Sequence, residues 1–373
     1  MLQIKRYMIL QRLSLVNFKN IRETELSFCG KLNCLVGDNG TGKTNLIDAV
    51  HYLSMCKSAF NLTDGQSVNH EADFFLLDGH YTVGESREEI ICGFKKGGGK
   101  VLKRNGKEYE KLSEHIGLLP VVLVSPSDTS LIHESGEDRR KFLNTLLSQL
   151  DKNYLQALIK YNRILAERNK LLKQPYGSSG EFLEVLDMQL ADAGRRIHAK
   201  RHELVGALIP VVAKYYAVLS GDREQVEISY KSELNDTPFE ELLQAAAQRD
   251  HILQHTTVGI HRDDIRIKIG GYPLRKYGSQ GQQKSFLVAL KLAQFEVIEQ
   301  HCRYKPILLL DDIFDKLDME RVERLIRLVS DRRFGQIFIT DSNKVRLDGI
   351  LESLDQDFRL FTVSDGIIKP AEA

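Results

Sequence analysis

The chain has 373 residues, 42% of them hydrophobic, and 52 Lys and Arg against 51 Asp and Glu give a formal net charge of +1. That length suggests two or three domains with ordinary cores, and the balanced charge excludes a uniformly basic nucleic-acid binder, so any such contact must come from local patches. No apolar run approaches ~18 residues, there is no signal-peptide core, and the five cysteines have neither C-x-x-C nor zinc spacing; a soluble, cytoplasmic protein is the expectation.

Residues 9–28 read as two strands with a turn at Lys19-Asn20. Leu32 to Val36 is a short buried strand. It runs into Gly37-Asp38-Asn39-Gly40-Thr41-Gly42-Lys43-Thr44, which fits G-x-x-x-x-G-K-[ST]. Asn45 opens a helix with Leu46, Val50 and Leu53 on one face. A strand, this loop and a helix make a phosphate-binding site. The glycines let successive N–H groups turn toward an anion, and the helix start adds its dipole. Lys43 is placed to reach the β- and γ-phosphates of ATP, and the Thr44 hydroxyl to ligate Mg²⁺.

Residues 74–83, 89–95 and 100–104 read as antiparallel strands, with turns at Gly97-Gly98-Gly99 and Asn105-Gly106. Val121 to Val124 is a buried strand ending at Ser125-Pro126. Helical spacing then runs from Gly136 to Leu172 and, after the break at 174–180, from Leu186 to Leu219. Each stretch is about 35 residues, or ~50 Å as a helix. The simplest reading is a helical hairpin standing away from the nucleotide domain, the alternative two helices packed flat on the core. Pro210 is expected to kink or divide the second helix. A strand at 226–230, a helix at 238–250 and a hairpin around Gly270-Gly271 follow, and the rest reads as α/β.

The run Ile307 to Leu310 ends in Asp311-Asp312, a buried strand with two carboxylates at the edge where α/β sheets bind ligands. This is a Walker B strand. Asp311 is assigned to Mg²⁺ and Asp312 to orienting or deprotonating the attacking water. So long a separation from the phosphate loop means that one nucleotide domain is split by an insertion: head 1–125, arm 126–222, head 223–373. The fold class is therefore α/β, a P-loop ATPase head with a mixed sheet and flanking helices, interrupted by a mainly helical arm.

A split head with a helical insertion resembles the ABC ATPases of the SMC class, in particular their short-armed recombination-mediator branch. The opening Leu13-Ser-Leu-Val-Asn-Phe-Lys-Asn-Ile-Arg22, Arg139-Arg-Lys-Phe-Leu143 and Gly259-Ile-His-Arg-Asp-Asp264 carry that likeness over essentially the whole chain. Ser279, Gln280, Gly281 and Gln282 resemble the ABC signature, Phe314 to Asp318 the D-loop, and Thr340 the switch position. Asn61 stands where the family usually has Arg, and Gln280 and Lys284 where Arg is commoner. The resemblance implies two head-to-tail subunits with ATP and Mg²⁺ between them, the signature of one completing the site of the other. It further implies a weak, DNA-stimulated ATPase that dimerises with ATP on duplex DNA near single-strand gaps, working with RecO and RecR to load RecA. A longer-armed chromosome-organising ATPase is disfavoured by the short insertion, and a standalone small-molecule NTPase by the signature.

Basic clusters occur at Arg139-Arg140-Lys141, Arg195 to His202 and Lys95 to Lys107. Singly they read as solvated faces. With the resemblance, Arg139, Arg140, Lys103 and Arg104 become candidate contacts to DNA phosphates. Arg321, Arg324 and Arg327 read as ion-paired surface, and His261 with Asp263 and Asp264 as a structural turn.

Overall fold

The computed structural model describes residues 7–60, 62–174, 180–314, 319–329, 334–344, 347, 349 and 357–371. In chain order the elements begin with β1 (Met8–Phe18), β2 (Ile21–Ser27), β3 (Leu32–Val36), α1 (Lys43–Met55), β4 (Phe74–Val83), β5 (Ser86–Lys95), β6 (Gly99–Arg104), β7 (Lys107–Glu108) and β8 (Val121–Val124). Then come α2 (Ser130–His133), α3 (Gly136–Leu150), α4 (Lys152–Leu171), α5 (Gly180–Ser220), β9 (Val226–Lys231), α6 (Phe239–Leu253), β10 (Asp264–Ile269), β11 (Tyr272–Pro273) and α7 (Leu274–Tyr277). The last are α8 (Gln280–His301), β12 (Ile307–Asp311), α9 (Met319–Val329), β13 (Ile337–Asp341), β14 (Phe358–Ser364) and β15 (Ile367–Pro370).

Two compact units result: Met1–Asp128 with Val218–Gly221 and Gln280–Ala373, and Thr129–Ala217 with Asp222–Ser279. Among the described residues, the first unit has two sheets. One is antiparallel, in the order β2-β1-β4-β5-β6-β7; the other runs β15-β14-β3-β13-β12-β8, parallel except for its β15 edge. The antiparallel strands alternate buried and exposed positions, as a sheet covered on one face does. The parallel strands β3, β12 and β13 are buried at every position, which is why they read as unbroken apolar runs. Helix α1 lies in the core shared by both sheets, with Leu46, Ile47, Val50, Tyr52 and Leu53 buried. Phe18, Tyr52 and Phe75 meet edge-to-face.

The second unit holds the long helices, but the stretch expected as one helix from Gly136 is two. Asp151 ends α3 in an extended conformation and caps α4, its carboxylate accepting from the Asn153 and Tyr154 N–H groups at 2.8 and 3.2 Å. A side chain that satisfies orphan N–H groups starts a helix rather than continuing one. Pro210, expected to kink or divide the next helix, does not break α5. Gly206, whose carbonyl the proline leaves without its helical donor, is exposed to solvent. By length and composition α5 is also apolar enough to cross a membrane, although it holds no unbroken apolar run of that length. Its Leu204, Leu208, Val212, Tyr215 and Leu219 are buried in the protein, whereas Ile209 and Val218 are exposed.

The boundaries also differ from the expected arm at 126–222, because residues 222–279 belong with the helices. Two buried arginines explain this. Arg168 of α4 reaches Asp250 of α6 at 2.7 Å and Asp187 of α5 at 2.5 Å. Arg201 of α5 donates to the Ile260 carbonyl at 2.7 Å and to Asp263 at 3.0 Å. Gly194 of α5 is packed so closely by the Phe239 ring that a Cβ there would stand 2.5 Å from it. The expectation grouped 223–279 by its α/β pattern in sequence, whereas charge pairing across more than 50 positions decides the unit.

Candidate functional site

The parallel sheet brings the sequence-predicted site together. Residues of β12 and β13 pair in register with Asp311 opposite Thr340, and β13 pairs β3 with Asp341 opposite Val36. The loop at Gly37 therefore leaves its strand beside the ends of the other two, at the carboxyl edge of the sheet. Gly37 is fixed by space: a Cβ would stand 2.1 Å from the Val363 carbonyl oxygen. Gly42 is fixed by conformation, with φ at 118° before the first helical residue. Lys43 is buried, and its ammonium donates to the carbonyls of Gly37 and Asp38 at 2.7 and 2.9 Å. The loop is thus folded over its own lysine. The Asp38 carbonyl also accepts from the Thr41 hydroxyl at 2.8 Å.

Thr44 and Asp311, 267 positions apart, meet directly: the hydroxyl lies 3.0 Å from each carboxylate oxygen. The Thr340 hydroxyl donates to Asp311 Oδ1 at 2.8 Å and accepts from the Asp312 N–H at 2.9 Å. Burial pushes the Asp311 carboxyl up to about 6, against the lowering by the Thr340 and Thr44 hydroxyls. An all-oxygen set of a hydroxyl and a buried carboxylate fits a hard cation such as Mg²⁺. Asp312, the next residue, has φ at 45°. This left-handed conformation is uncommon outside glycine and is often found where function holds a residue. It turns the backbone at the end of the strand, directly after the buried Asp311.

Asn20 is a residue that the sequence offered only as part of a turn. Its amide donates to the Thr41 carbonyl at 3.1 Å and accepts from Asn45 at 2.6 Å, so the β1–β2 turn braces the phosphate loop. The Gly366 N–H adds a bond to the Thr41 carbonyl at 2.8 Å. No local pattern carries these contacts, because their partners lie more than 20 positions away. Asn39 and Gly40 lie in the same loop, Gly40 with φ at 83°.

The signature helix begins at Gln280, so Gln280, Gly281 and Gln282 form its first turn and exposed Ser279 immediately precedes it. The Arg321 guanidinium lies over Gly281, its Nη1 2.3 Å from where a Cβ would stand, which places that arginine at the helix start. Arg324 pairs with Glu320 and donates to the Leu219 carbonyl at 3.3 Å. Just after β8, the Ser125 N–H donates to Asp128 at 2.8 Å and Lys291 pairs with the same carboxylate at 2.7 Å. Asp318 and Asn61 lie outside the described residues.

Three arginines of the basic clusters are engaged within the protein. Arg139 makes a two-pronged pair with Asp264 at 2.6 and 3.0 Å, and Arg140 donates to the Asp263 carbonyl at 2.9 Å. Arg104 makes a similar fork on Glu88 at 2.8 and 2.7 Å. His261 bridges the Tyr161 hydroxyl at 2.8 Å and the Thr256 carbonyl at 3.1 Å, and burial holds its imidazole down at about 4. It is a neutral structural strut. Asp78, His80 and Glu89 on β4 and β5 form another cluster of metal-capable side chains, but the Arg12 guanidinium lies 2.7 Å from His80 Nε2, a positive charge on the lone pair that a metal would need.

A phosphate loop whose Thr44 meets the Asp311 carboxylate, itself held by Thr340, at the carboxyl edge of a parallel sheet is the arrangement of an ABC-type ATPase head. Residues 9–369 match the model of the RecF/RecN/SMC N terminal domain. The chain belongs to the RecF family. It is 48% identical to the DNA replication and repair protein RecF of Parabacteroides distasonis over 98% of this chain and 100% of that one. It is 46% identical to that of Bacteroides thetaiotaomicron, over 97% and 98%. The solved structure of the recombination mediator RecF with ATP matches with a TM-score of 0.89 and 32% identity, each chain covered in full. The Smc head domain of Pyrococcus furiosus, at 16% identity and a TM-score of 0.58, shares the fold. This RecF-family chain is thus a DNA replication and repair protein with an ABC-type head.

Proposed function

We propose that the chain is an ATP-dependent DNA-binding protein of recombinational repair and replication-fork maintenance, acting in the cytoplasm as a slow, DNA-stimulated ATPase. ATP and Mg²⁺ bind at residues 37–45 and Asp311. Two copies join head-to-tail, and Ser279, Gln280, Gly281 and Gln282 of one complete the nucleotide site of the other. The dimer holds duplex DNA near single-strand gaps, works with RecO and RecR to load RecA, and is released when ATP is hydrolysed.

The reading is carried by the convergence of Thr44, Asp311 and Thr340 at the mouth of the phosphate loop. These residues would hold Mg²⁺, which supplies charge neutralisation at the β- and γ-phosphates. Lys43 binds the same phosphates, Thr340 holds the Asp311 carboxylate in place, and Asp312 accepts the proton of the attacking water. Asp318 is assigned to the partner-facing D-loop. Sedimentation with ATP, with ADP and without nucleotide, each with and without duplex DNA, tests it. A dimer with ATP alone that is tightened by DNA is expected. A monomer throughout defeats the reading.

A further inference from the structure

Immediately before the signature lies a short, exposed aromatic projection. After the Gly270-Gly271 turn come β11 and the single turn α7, anchored by the fully buried Leu274. On it Tyr272 and Tyr277 are 61% and 65% exposed, and their rings lie against each other with centroids 5.2 Å apart at 48°. Pro273 sits between strand and turn with φ at −56°, the value its ring imposes. Arg275 and Lys276, on the same turn, are exposed as well. Exposed paired aromatics on a rigid turn are the kind of group that anchors protein interfaces. Tyrosine brings a large area with only two side-chain torsions to fix, and such residues dominate binding energy at interface centres.

We propose that Tyr272 and Tyr277 are the aromatic anchor by which one copy of this chain grips a second copy in the nucleotide-bound dimer. The inference rests on the reading that Ser279 meets the partner's nucleotide. Ser279 is two residues beyond Tyr277, so their Cα atoms are at most about 7 Å apart. If the Ser279 backbone reaches the partner's γ-phosphate, the Tyr277 ring lies within the same contact, and Tyr272 with it. Their mutual packing already limits their rotamers in the monomer, so less freedom is lost on association. Arg275 and Lys276 then face a partner made more anionic by its bound nucleotide. Stacking of single-stranded DNA bases on the same rings is the competing use of such a turn, but the chain distance to Ser279 favours the second copy.

The test uses the full-length protein with Mg²⁺ and either ATP or ADP. Dimerisation is measured by sedimentation for wild type, Tyr272→Ala, Tyr277→Ala and the double Tyr272→Phe, Tyr277→Phe variant. Each alanine variant is expected to weaken the ATP dimer at least tenfold while the monomer's ATP affinity stays within twofold of wild type. The double phenylalanine variant, which keeps the rings, is expected to dimerise within threefold of wild type. The chain has no Trp and 13 Tyr, so tyrosine emission provides a second readout. ATP should protect wild-type emission from acrylamide quenching, and most of that protection should vanish in the double phenylalanine variant although it dimerises. Alanine variants that dimerise as wild type does overturn the proposal, as do variants that lose only affinity for single-stranded DNA. A wild type that stays monomeric with ATP overturns the dimer reading itself, and that outcome is seen before any variant is made.

Discussion

Lys43 already has a place in the folded loop, and the proposed site gives it a second use on a phosphate. Its ammonium holds the Gly37 and Asp38 carbonyls from within the loop, and turning it toward a phosphate exchanges two neutral acceptors for a charged, stronger one. Lys43→Ala should therefore weaken ATP binding roughly 100-fold, about 2.8 kcal/mol, in a fluorescent-nucleotide titration; wild-type affinity would remove the site from this loop. The two adjacent aspartates separate by environment. Asp311 is buried under two hydroxyls, whereas Asp312 is partly exposed and strained. Asp312→Asn should keep ATP affinity and lower the hydrolysis rate by ~100-fold or more, while Asp311→Asn should weaken binding chiefly when Mg²⁺ is present. Phosphate release and binding, each measured with and without Mg²⁺, distinguish the two, and equal effects from both substitutions would contradict the division of roles.

At the scale of elements, buried polar groups decide which helices and strands hold together. Arg201 is 1% exposed and joins α5 to Asp263, Tyr154, Asn144 and the Ile260 carbonyl. Removing it leaves the buried Asp263 carboxylate without this ionic partner. Arg201→Ala should destabilise the protein by about 3–5 kcal/mol in urea unfolding, and Arg201→Met combined with Asp263→Leu by much less; equal losses would mean that the guanidinium matters by packing and not by charge. Helix α1 depends on neutral histidines. His51 bonds the Lys57 carbonyl and His115 the Leu53 carbonyl, and burial holds both imidazoles down at about 4. Because the folded value is the lower one, the stability they support is present above the unfolded value near ~6.5 and is lost as pH falls toward 4. By pH ~5 each should cost about 2 kcal/mol. Replacing either by Asn should flatten the pH dependence of the urea midpoint between ~7 and ~5, and an unchanged slope would refute the assignment.

For the whole molecule, near-zero net charge means that a DNA-binding surface has to be assembled from local patches. If ATP unites two copies, duplex affinity should be far higher with ATP than with ADP and should fall steeply between ~50 and ~200 mM salt, with a log–log slope of about −0.9 per neutralised phosphate. Lys103 and Lys107 are better probes of that surface than Arg139, Arg140 or Arg104, whose reversal would break the pairs with Asp264 and Glu88 or the bond to the Asp263 carbonyl. Lys103→Glu with Lys107→Glu should lower the slope by one to two if the β6–β7 hairpin touches DNA. Affinity that is the same with either nucleotide and insensitive to salt would refute an ATP-gated clamp.

The phosphate loop and Walker B strand were legible in the sequence because each is a local object. A glycine-rich turn before a helix and an apolar run ending in aspartates owe their form to residues within about ten positions. Strands β1, β2, β4, β5 and β6 of the antiparallel sheet and β3, β8 and β12 of the parallel one were legible for the same reason, since alternation and unbroken burial leave their pattern in short windows, whereas β14 and β15 lay in a stretch read only as α/β. What only the tertiary structure decided are events between distant positions. Asp151 turned one expected helix into two by capping the second. Asn20 became a brace of the nucleotide loop through contacts with Thr41 and Asn45. Arg139, Arg140 and Arg104, which singly read as solvated charge, take partners within the fold. The charge of a side chain is written in the sequence, but its partner is chosen by packing, and the desolvation that makes such a pairing matter exists only once the chain has folded.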